Sequence, residues 1–289
     1  MFQKAYSLAA TYTQPLLIAM RHQSGRVDSG LGSFIYLNKD GWAMTAAHNF
    51  GPAFGFQQHE QERKAYEERK AMILGSSSLS HEEKDIQLSA LGPGQDWLTH
   101  YTFLPGGQHT PILENYIYNE HDLAFFRVDP KAVNQQVQFP KLVEPGIISP
   151  GISLCKLGYP FVEFQSSFND TNGQFVLPQN LLPLPMFPME GMYTRNFLKG
   201  YDGENREILF LETSSPGLKG QSGGPIFDRN GILFAVQSQN LTIHLGFTGV
   251  VQKNGVGVEE NQFLNLGIGV HPKTMHALLQ KQGINYFKA

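Results

Sequence analysis

The sequence predicts an all-β protein built as two strand-rich lobes, and three observations carry that expectation. Apolar stretches of strand length recur along the chain, separated by Gly, Pro and Asn/Asp turn signals. Helical patterning is confined to a polar segment at 57–73 and a short terminal one at 273–282. Three short strings, ending at His48, opening at Asp122 and centred on Ser222, each adjoin such an apolar stretch. Small closed barrels are the natural form for each lobe, because closure removes open strand edges.

In chain order, Leu16 to Met20 reads as a first strand and Gly30 to Leu37 as a second. Asn38-Lys39-Asp40-Gly41 supplies a turn, and Trp42 to Ala46 returns toward His48. The segment from Gln57 to Ile73 is rich in Glu and helix formers, with a thin apolar stripe of Ala65, Met72 and Ile73. It is expected to be a solvated helix inserted after the histidine, either a surface excursion or a partner-binding or gating element. Ser76 to Gly94 reads as loop with a short strand at Ile86 to Leu91, and Ile112 to Tyr118 as a strand before Asp122. Pro140 to Pro150 is expected to connect the lobes. The first lobe would then span residues 1–145, with His48 and Asp122, and the second residues 146–289, with Ser222.

In the second lobe Ile152 to Leu157 reads as a strand, and the prolines at 178, 183, 185 and 188 read as a long irregular loop. Ile208 to Glu212 feeds the Ser222 loop, Gly231 to Ser238 follows it, and Asn240 to Phe263 reads as an extended hairpin or loop. Lys273 to Gln282 is expected to be a helix capped by Gly283.

Composition excludes several classes. Hydrophobic residues make up 41% and charged residues 16%, enough apolar material for a packed core and too little charge for disorder. The net charge of -3, with no block of Lys or Arg, argues against general nucleic-acid binding. No apolar stretch approaches a membrane span, and Thr11, Thr13, Gln14 and Pro15 interrupt the N-terminus, so no membrane association and no signal peptide are expected. Cys155 is the single cysteine, which excludes an intrachain disulfide and points to the cytoplasm, with a bacterial secreted form trimmed from a longer precursor as the alternative. Flanked by Leu154 and Leu157, it reads as a buried apolar group. His109, His121 and Asp122 do not make a recognisable metal-ligand spacing, and no metal or cofactor is expected.

The chemistry of the three strings is coherent. A serine hydroxyl is a poor nucleophile near neutral pH, and a histidine beside it accepts its proton as it attacks a carbonyl. A carboxylate holds the histidine's tautomer and stabilises its charged form. His48, Asp122 and Ser222 are the catalytic candidates, in an order used by one known hydrolase design. His59 lies in polar sequence and is a weaker candidate, and His121 reads as structural or exposed.

Thr45-Ala46-Ala47-His48, Asp122-Leu123-Ala124 and Gly220-Gln221-Ser222-Gly223-Gly224-Pro225 together resemble the chymotrypsin/trypsin-like serine peptidases. The likeness is strongest to the bacterial HtrA-like branch. The resemblance covers roughly residues 10 to 280. It implies two six-stranded antiparallel β-barrels of the chymotrypsin-like fold, with an inserted helix and a C-terminal helix. It implies a serine endopeptidase acting through an acyl-enzyme, with the amides of Gly220 and Ser222 as oxyanion hole. The strand Val236-Gln237-Ser238 would pair with an extended polypeptide substrate. The floor of the primary specificity pocket would be Pro216, six positions before the serine. With no aspartate there, a small or apolar side chain is expected before the cleaved bond, and His244 could add polarity.

The chain departs from the family in lacking an Ile-Val-Gly-Gly-like start and a PDZ-like domain after the terminal helix. Control by loop ordering or by a regulatory protein partner is therefore expected. A catalytically inactive barrel serving as a protein-binding or regulatory module is the alternative, and an esterase using the same triad is a second.

Overall fold

The computed structural model describes residues 1–253 and 256–289. Helix α1 (Gln3–Tyr12) precedes the first sheet. No helix is expected here from the sequence, because Thr11, Thr13, Gln14 and Pro15 interrupt the apolar pattern, yet Ala5, Ala9 and Tyr12 follow helical spacing and form one buried face. Strands β1 (Thr13–His22), β2 (Val27–Tyr36) and β3 (Trp42–Thr45) follow, then α2 (Gly51–Gly75), α3 (His81–Leu91), β4 (Leu98–Pro105), β5 (Glu114–Tyr118) and β6 (Leu123–Arg127). The sheet order is β4-β1-β2-β3-β6-β5, antiparallel throughout.

The second lobe begins with β7 (Lys141–Leu142) and β8 (Ser153–Lys156), then a small hairpin of β9 (Ser167–Asn169) and β10 (Gln174–Val176). Next come β11 (Met189–Tyr201), β12 (Glu207–Thr213), β13 (Pro225–Phe227), β14 (Leu233–Lys253) and β15 (Val256–Val270). Helix α4 (Pro272–Lys281) and β16 (Phe287–Lys288) complete the chain. The order β13-β8-β11-β12-β15-β14 returns to β13 through a β13–β14 pairing, which closes a six-stranded barrel. Strands β7 and β16 extend it in parallel beyond β14.

The first sheet and the second lobe's barrel thus each have the six strands expected, but only the second closes. In the first, β4 and β5 are not paired with each other among the described residues. Helix α2 lies against β4: the Leu98 amide donates to His59 Nδ1 at 2.7 Å, and Phe56 packs on Tyr101. The insertion that follows the histidine therefore covers an edge strand.

The expected strand at Ile86 to Leu91 is corrected to helix. Ser80 Oγ accepts from the Glu83 amide while the Glu83 carboxylate accepts from the Ser80 amide, a reciprocal N-terminal cap. The alternation of Ile86 and Leu88 imitates a strand, but neither α2 nor α3 has a fully buried residue, so capping and local pairing decide. The solvated character expected of α2 holds, and it starts six residues earlier and ends two later than expected.

One apolar cluster joins the lobes, with Tyr12, Ile35, Met44 and Phe125 packed with Phe210, Val236, Val270 and Met275. Burial of this size, at roughly 1.5–3 kcal/mol per large side chain, fixes the lobes against each other. The cleft between them inherits that rigidity.

Candidate active site

Strand pairing sets the first two residues side by side. In the β3–β6 ladder Thr45 lies opposite Ala124, so the chain leaving β3 meets the chain entering β6. His48 lies in a single 3-10 turn, Ala47–Phe50. Asp122 lies between another such turn and β6, with φ 48, in the left-handed region that Asp tolerates better than most residues. One carboxylate oxygen accepts from the His48 amide at 3.0 Å, and both lie 3.0 Å from His48 Nδ1. With Nδ1–H donated to Asp122, the neutral imidazole leaves Nε2 as an acceptor.

A third donor completes the carboxylate's shell: Ser238 Oγ, on β14, lies 2.5 Å from Asp122 Oδ2. Burial of Asp122 would raise its pKa, but the hydrogen bonds from His48 and Ser238 and the His48 charge outweigh it. The carboxyl is held below its usual range.

The loop from Gly220 to Gly224 is fixed at several points. The Ser222 carbonyl accepts from the Ser33 amide at 2.8 Å and from Asn49 Nδ2 at 3.1 Å. The Gly223 amide donates to the Gln237 carbonyl at 2.7 Å, and the Gln237 amide to the Gly224 carbonyl at 2.8 Å. Gly223 has φ +87, and a Cβ there would lie 2.1 Å from both the Ser33 carbonyl oxygen and Thr45 Oγ1. The Gly220 carbonyl accepts from Ser33 Oγ at 2.7 Å and from the Tyr159 amide at 3.3 Å. Among the described residues, the amides of Gly220 and Ser222 donate to no protein acceptor. Two unpaired amides flanking a serine can stabilise an oxyanion.

The Ser222 hydroxyl donates to the Ser238 carbonyl at 3.4 Å, and no hydrogen bond joins it to His48 among the described residues. The structure brings Ser222 to the strand that holds Asp122, and stops short of a serine–histidine contact.

The remaining predicted residues divide. Ser238 is at the site. Gln237 is buried, its side-chain amide donating to the carbonyls of Gln239 and Ile268. Val236 is fully buried in the core. Pro216 accepts at its carbonyl from Lys156 Nζ at 3.0 Å. His244 packs at a tilt against Phe263 far along the β14–β15 hairpin. Beside Gly220 opens a groove of about 410 Å³ whose walls include Leu31, Phe161, Val162, Leu218 and Lys219.

Sequence reasoning missed four residues. Ser238 is expected from the sequence as a substrate contact, and nothing in the sequence shows that its hydroxyl holds Asp122. Asn49, beside His48, carries no signal in the sequence, yet its amide donates to the Ser222 carbonyl. Asp202, in the β11–β12 turn, lies 2.9 Å from His121 Nε2, and both side chains are 3% exposed. Its carboxyl is held far below the usual range: the His121 hydrogen bond and those of Arg206 and Glu204 outweigh desolvation. Lys156 is buried, and burial lowers its pKa to about 7. Its signal in the sequence was a lone charge in the apolar run from Ile152 to Leu157. Cys155 is buried with its thiol pushed up to about 11 by desolvation, which makes it unreactive. Among the described residues, no group of three or more His, Cys, Asp or Glu is placed to hold a metal ion. No described helix is long and apolar enough to cross a membrane.

A family model for a trypsin-like peptidase domain matches residues 32–236. The HtrA-type protease AlgWS227A with decapeptide is similar in structure, with TM-score 0.50 and 13% identity over 97% of this chain and 66% of that one. The HtrA-type protease AlgW with tripeptide gives TM-score 0.48 and 15% identity over 97% of this chain and 63% of that one. At these identities the likeness speaks for the fold alone, and the chain spans less than two thirds of the length of those proteins. No curated protein matches the sequence.

Proposed function

This chain belongs to the trypsin-like peptidase domain family, and we propose that it is a serine endopeptidase. Ser222 attacks the peptide carbonyl, His48 Nε2 takes its proton and returns it to the leaving amine, and Asp122 orients and stabilises the imidazole. The amides of Gly220 and Ser222 receive the oxyanion, a contribution of about 3 kcal/mol for each donor. The backbone of the strand from Val236 to Ser238 aligns the polypeptide, and the segment at Pro216 forms the pocket floor. Two lobes assemble these groups, dividing ahead of β7 at Lys141 rather than at residue 146, because β7 pairs with β14 and β16.

The observation that carries this reading is the geometry at Asp122. A carboxylate held by His48 and Ser238, with the Ser222 hydroxyl on the same Ser238, is what a histidine base of fixed tautomer needs. Attack requires the Ser222 hydroxyl to turn from the Ser238 carbonyl toward Nε2, a side-chain rotation about one bond. The present Ser222–Ser238 hydrogen bond is also the one observation favouring a non-catalytic binding module.

Labelling with a fluorophosphonate probe separates the two. The peptidase reading expects a labelled wild-type protein, with labelling lost in Ser222→Ala and His48→Ala. Cleavage of an unfolded protein substrate distinguishes a peptidase from an esterase. A folded wild-type protein that neither labels nor cleaves overturns the reading in favour of the binding module.

A further inference from the structure

The loop that carries Ser222 has two flanks. On one, the Gly223 amide and the Gly224 carbonyl pair with Gln237 of β14. On the other, the Ser222 carbonyl accepts from the Ser33 amide and the Gly220 carbonyl from Ser33 Oγ, so β2 lies alongside. A peptide whose acyl residues follow β14, with its carbonyl at the Gly220 and Ser222 amides, leaves the loop on the β2 flank. An extended chain advances about 3.3 Å per residue, so its next residues reach the part of β2 just before Ser33.

The groove beside Gly220 opens there. One wall is Ser29 to Leu31 of β2 and the other is the segment from Pro160 to Phe164, and no residue of β14 lines it. Its volume of about 410 Å³ falls within the range of about 300–1,000 Å³ usual for ligand pockets. The walls are tied together. The Ser166 amide donates to Ser29 Oγ at 2.8 Å, the Ser29 hydroxyl donates to Ser166 Oγ at 3.0 Å, and Gln165 Nε2 donates to the Val27 carbonyl. The groove is therefore formed before a substrate arrives. Its apolar side chains are Leu31, Phe161, Val162, Phe164 and Leu218, while one carboxylate, Glu163, and one ammonium, Lys219, offset each other in charge.

Phe161 is unusual on two counts. Its side chain is 77% exposed, and its φ of 62 is one that bulky residues rarely adopt. The ring stands edge-on to Phe187, with centroids 5.3 Å apart. Phe187 is itself anchored, its amide donating to the Gly158 carbonyl at 2.9 Å and its carbonyl accepting from Gln221 Nε2 at 3.3 Å. The fold thus holds a large ring in solvent on a strained backbone, beside the proposed oxyanion donors. That arrangement gains its burial only when an apolar group covers the ring.

We propose that this groove takes the side chain of the first or second residue after the scissile bond, and that Phe161 makes it select a large apolar or aromatic one. The proposal rests on the serine-peptidase reading.

The test is digestion of an unfolded protein substrate, with the new termini read by mass spectrometry. Phe, Tyr, Leu and Met are expected to be enriched over Ala, Lys and Glu by about tenfold at one of the two positions after the cut, the effect of burying most of one large apolar side chain. Phe161→Gly removes the ring and suits the backbone at φ 62. It should cut the enrichment to about threefold or less while the melting temperature holds or rises. A residue kept for packing alone would instead melt lower with the enrichment intact. Wild-type protein that labels with the fluorophosphonate and cleaves, but shows no such preference at either position, overturns this proposal alone. So does a Phe161→Gly variant that keeps the enrichment. Wild-type protein that cleaves nothing overturns the peptidase reading and this proposal with it. Should circular dichroism find Phe161→Gly unfolded, the wild-type profile decides.

Discussion

Ser238 Oγ lies 2.5 Å from Asp122 Oδ2, while the Ser238 carbonyl accepts the Ser222 hydroxyl at 3.4 Å. One residue of β14 thus touches both ends of the proposed triad. The contact joins a strand of the second lobe to a turn of the first, 116 positions apart. It also pulls the Asp122 carboxyl down against the upward push of burial.

Ser238→Ala removes that donor and leaves the backbone carbonyl in place. The fluorophosphonate labelling rate and kcat are expected to fall by about 10- to 100-fold, the range for one hydrogen bond to a charged group. KM should change little, because the backbone edge is unaltered. Ser238→Thr, which restores the hydroxyl, should recover much of the rate.

Gly223→Ala places a Cβ 2.1 Å from two oxygens at a backbone with φ +87. Neither the Ser33 carbonyl nor Thr45 Oγ1 is free to withdraw, since Thr45 donates to that same carbonyl at 2.7 Å. The expected loss is on the order of 3 kcal/mol of stability, or an equivalent displacement of Ser222. Thermal unfolding and the labelling rate, measured together, tell these apart.

His121 adjoins Asp122 in sequence and is anchored by Asp202 from the other lobe. Asp202 is held in turn by Arg206, whose Nε lies 2.7 Å away. Asp202→Asn weakens the anchor while keeping its shape. Labelling is expected to slow by about tenfold, through a misplaced carboxylate rather than a lost reactive group. A labelling rate unchanged in a folded Asp202→Asn protein would show that His121 does not position its neighbour.

The proposed triad was legible because each member lies in a short string beside a strand, where local chemistry leaves its mark. Both lobes, the long β14–β15 hairpin and α4 were legible for the same reason. Helix α3 was not, because Ile86 and Leu88 alternate like a strand while the decisive Ser80–Glu83 cap lies upstream. The open first sheet was not legible either, since it depends on α2 lying across β4. Asp202 and Lys156 act over separations of 81 and 59 positions. Their partners emerge only when hairpins and barrel strands bring distant segments together; the lone charge in an apolar run marks Lys156 but not what it meets.

His271 caps helix α4, its Nδ1 accepting from the Lys273 amide at 3.1 Å. The neutral ring therefore carries its proton on Nε2, which is buried without a partner. Burial, with help from Lys273, lowers its pKa to about 4. Between about pH 6.5 and 4 the unfolded chain binds a proton at this residue that the native protein does not, so stability falls as pH drops through that window. Below about 4 the native ring is protonated too and the loss levels off, at no more than about 3 kcal/mol. His271→Asn keeps a capping side chain but does not titrate. Urea unfolding at pH 7 and pH 4.5 should show a smaller pH-dependent loss in His271→Asn than in wild type. Equal losses would mean that the acid sensitivity lies elsewhere.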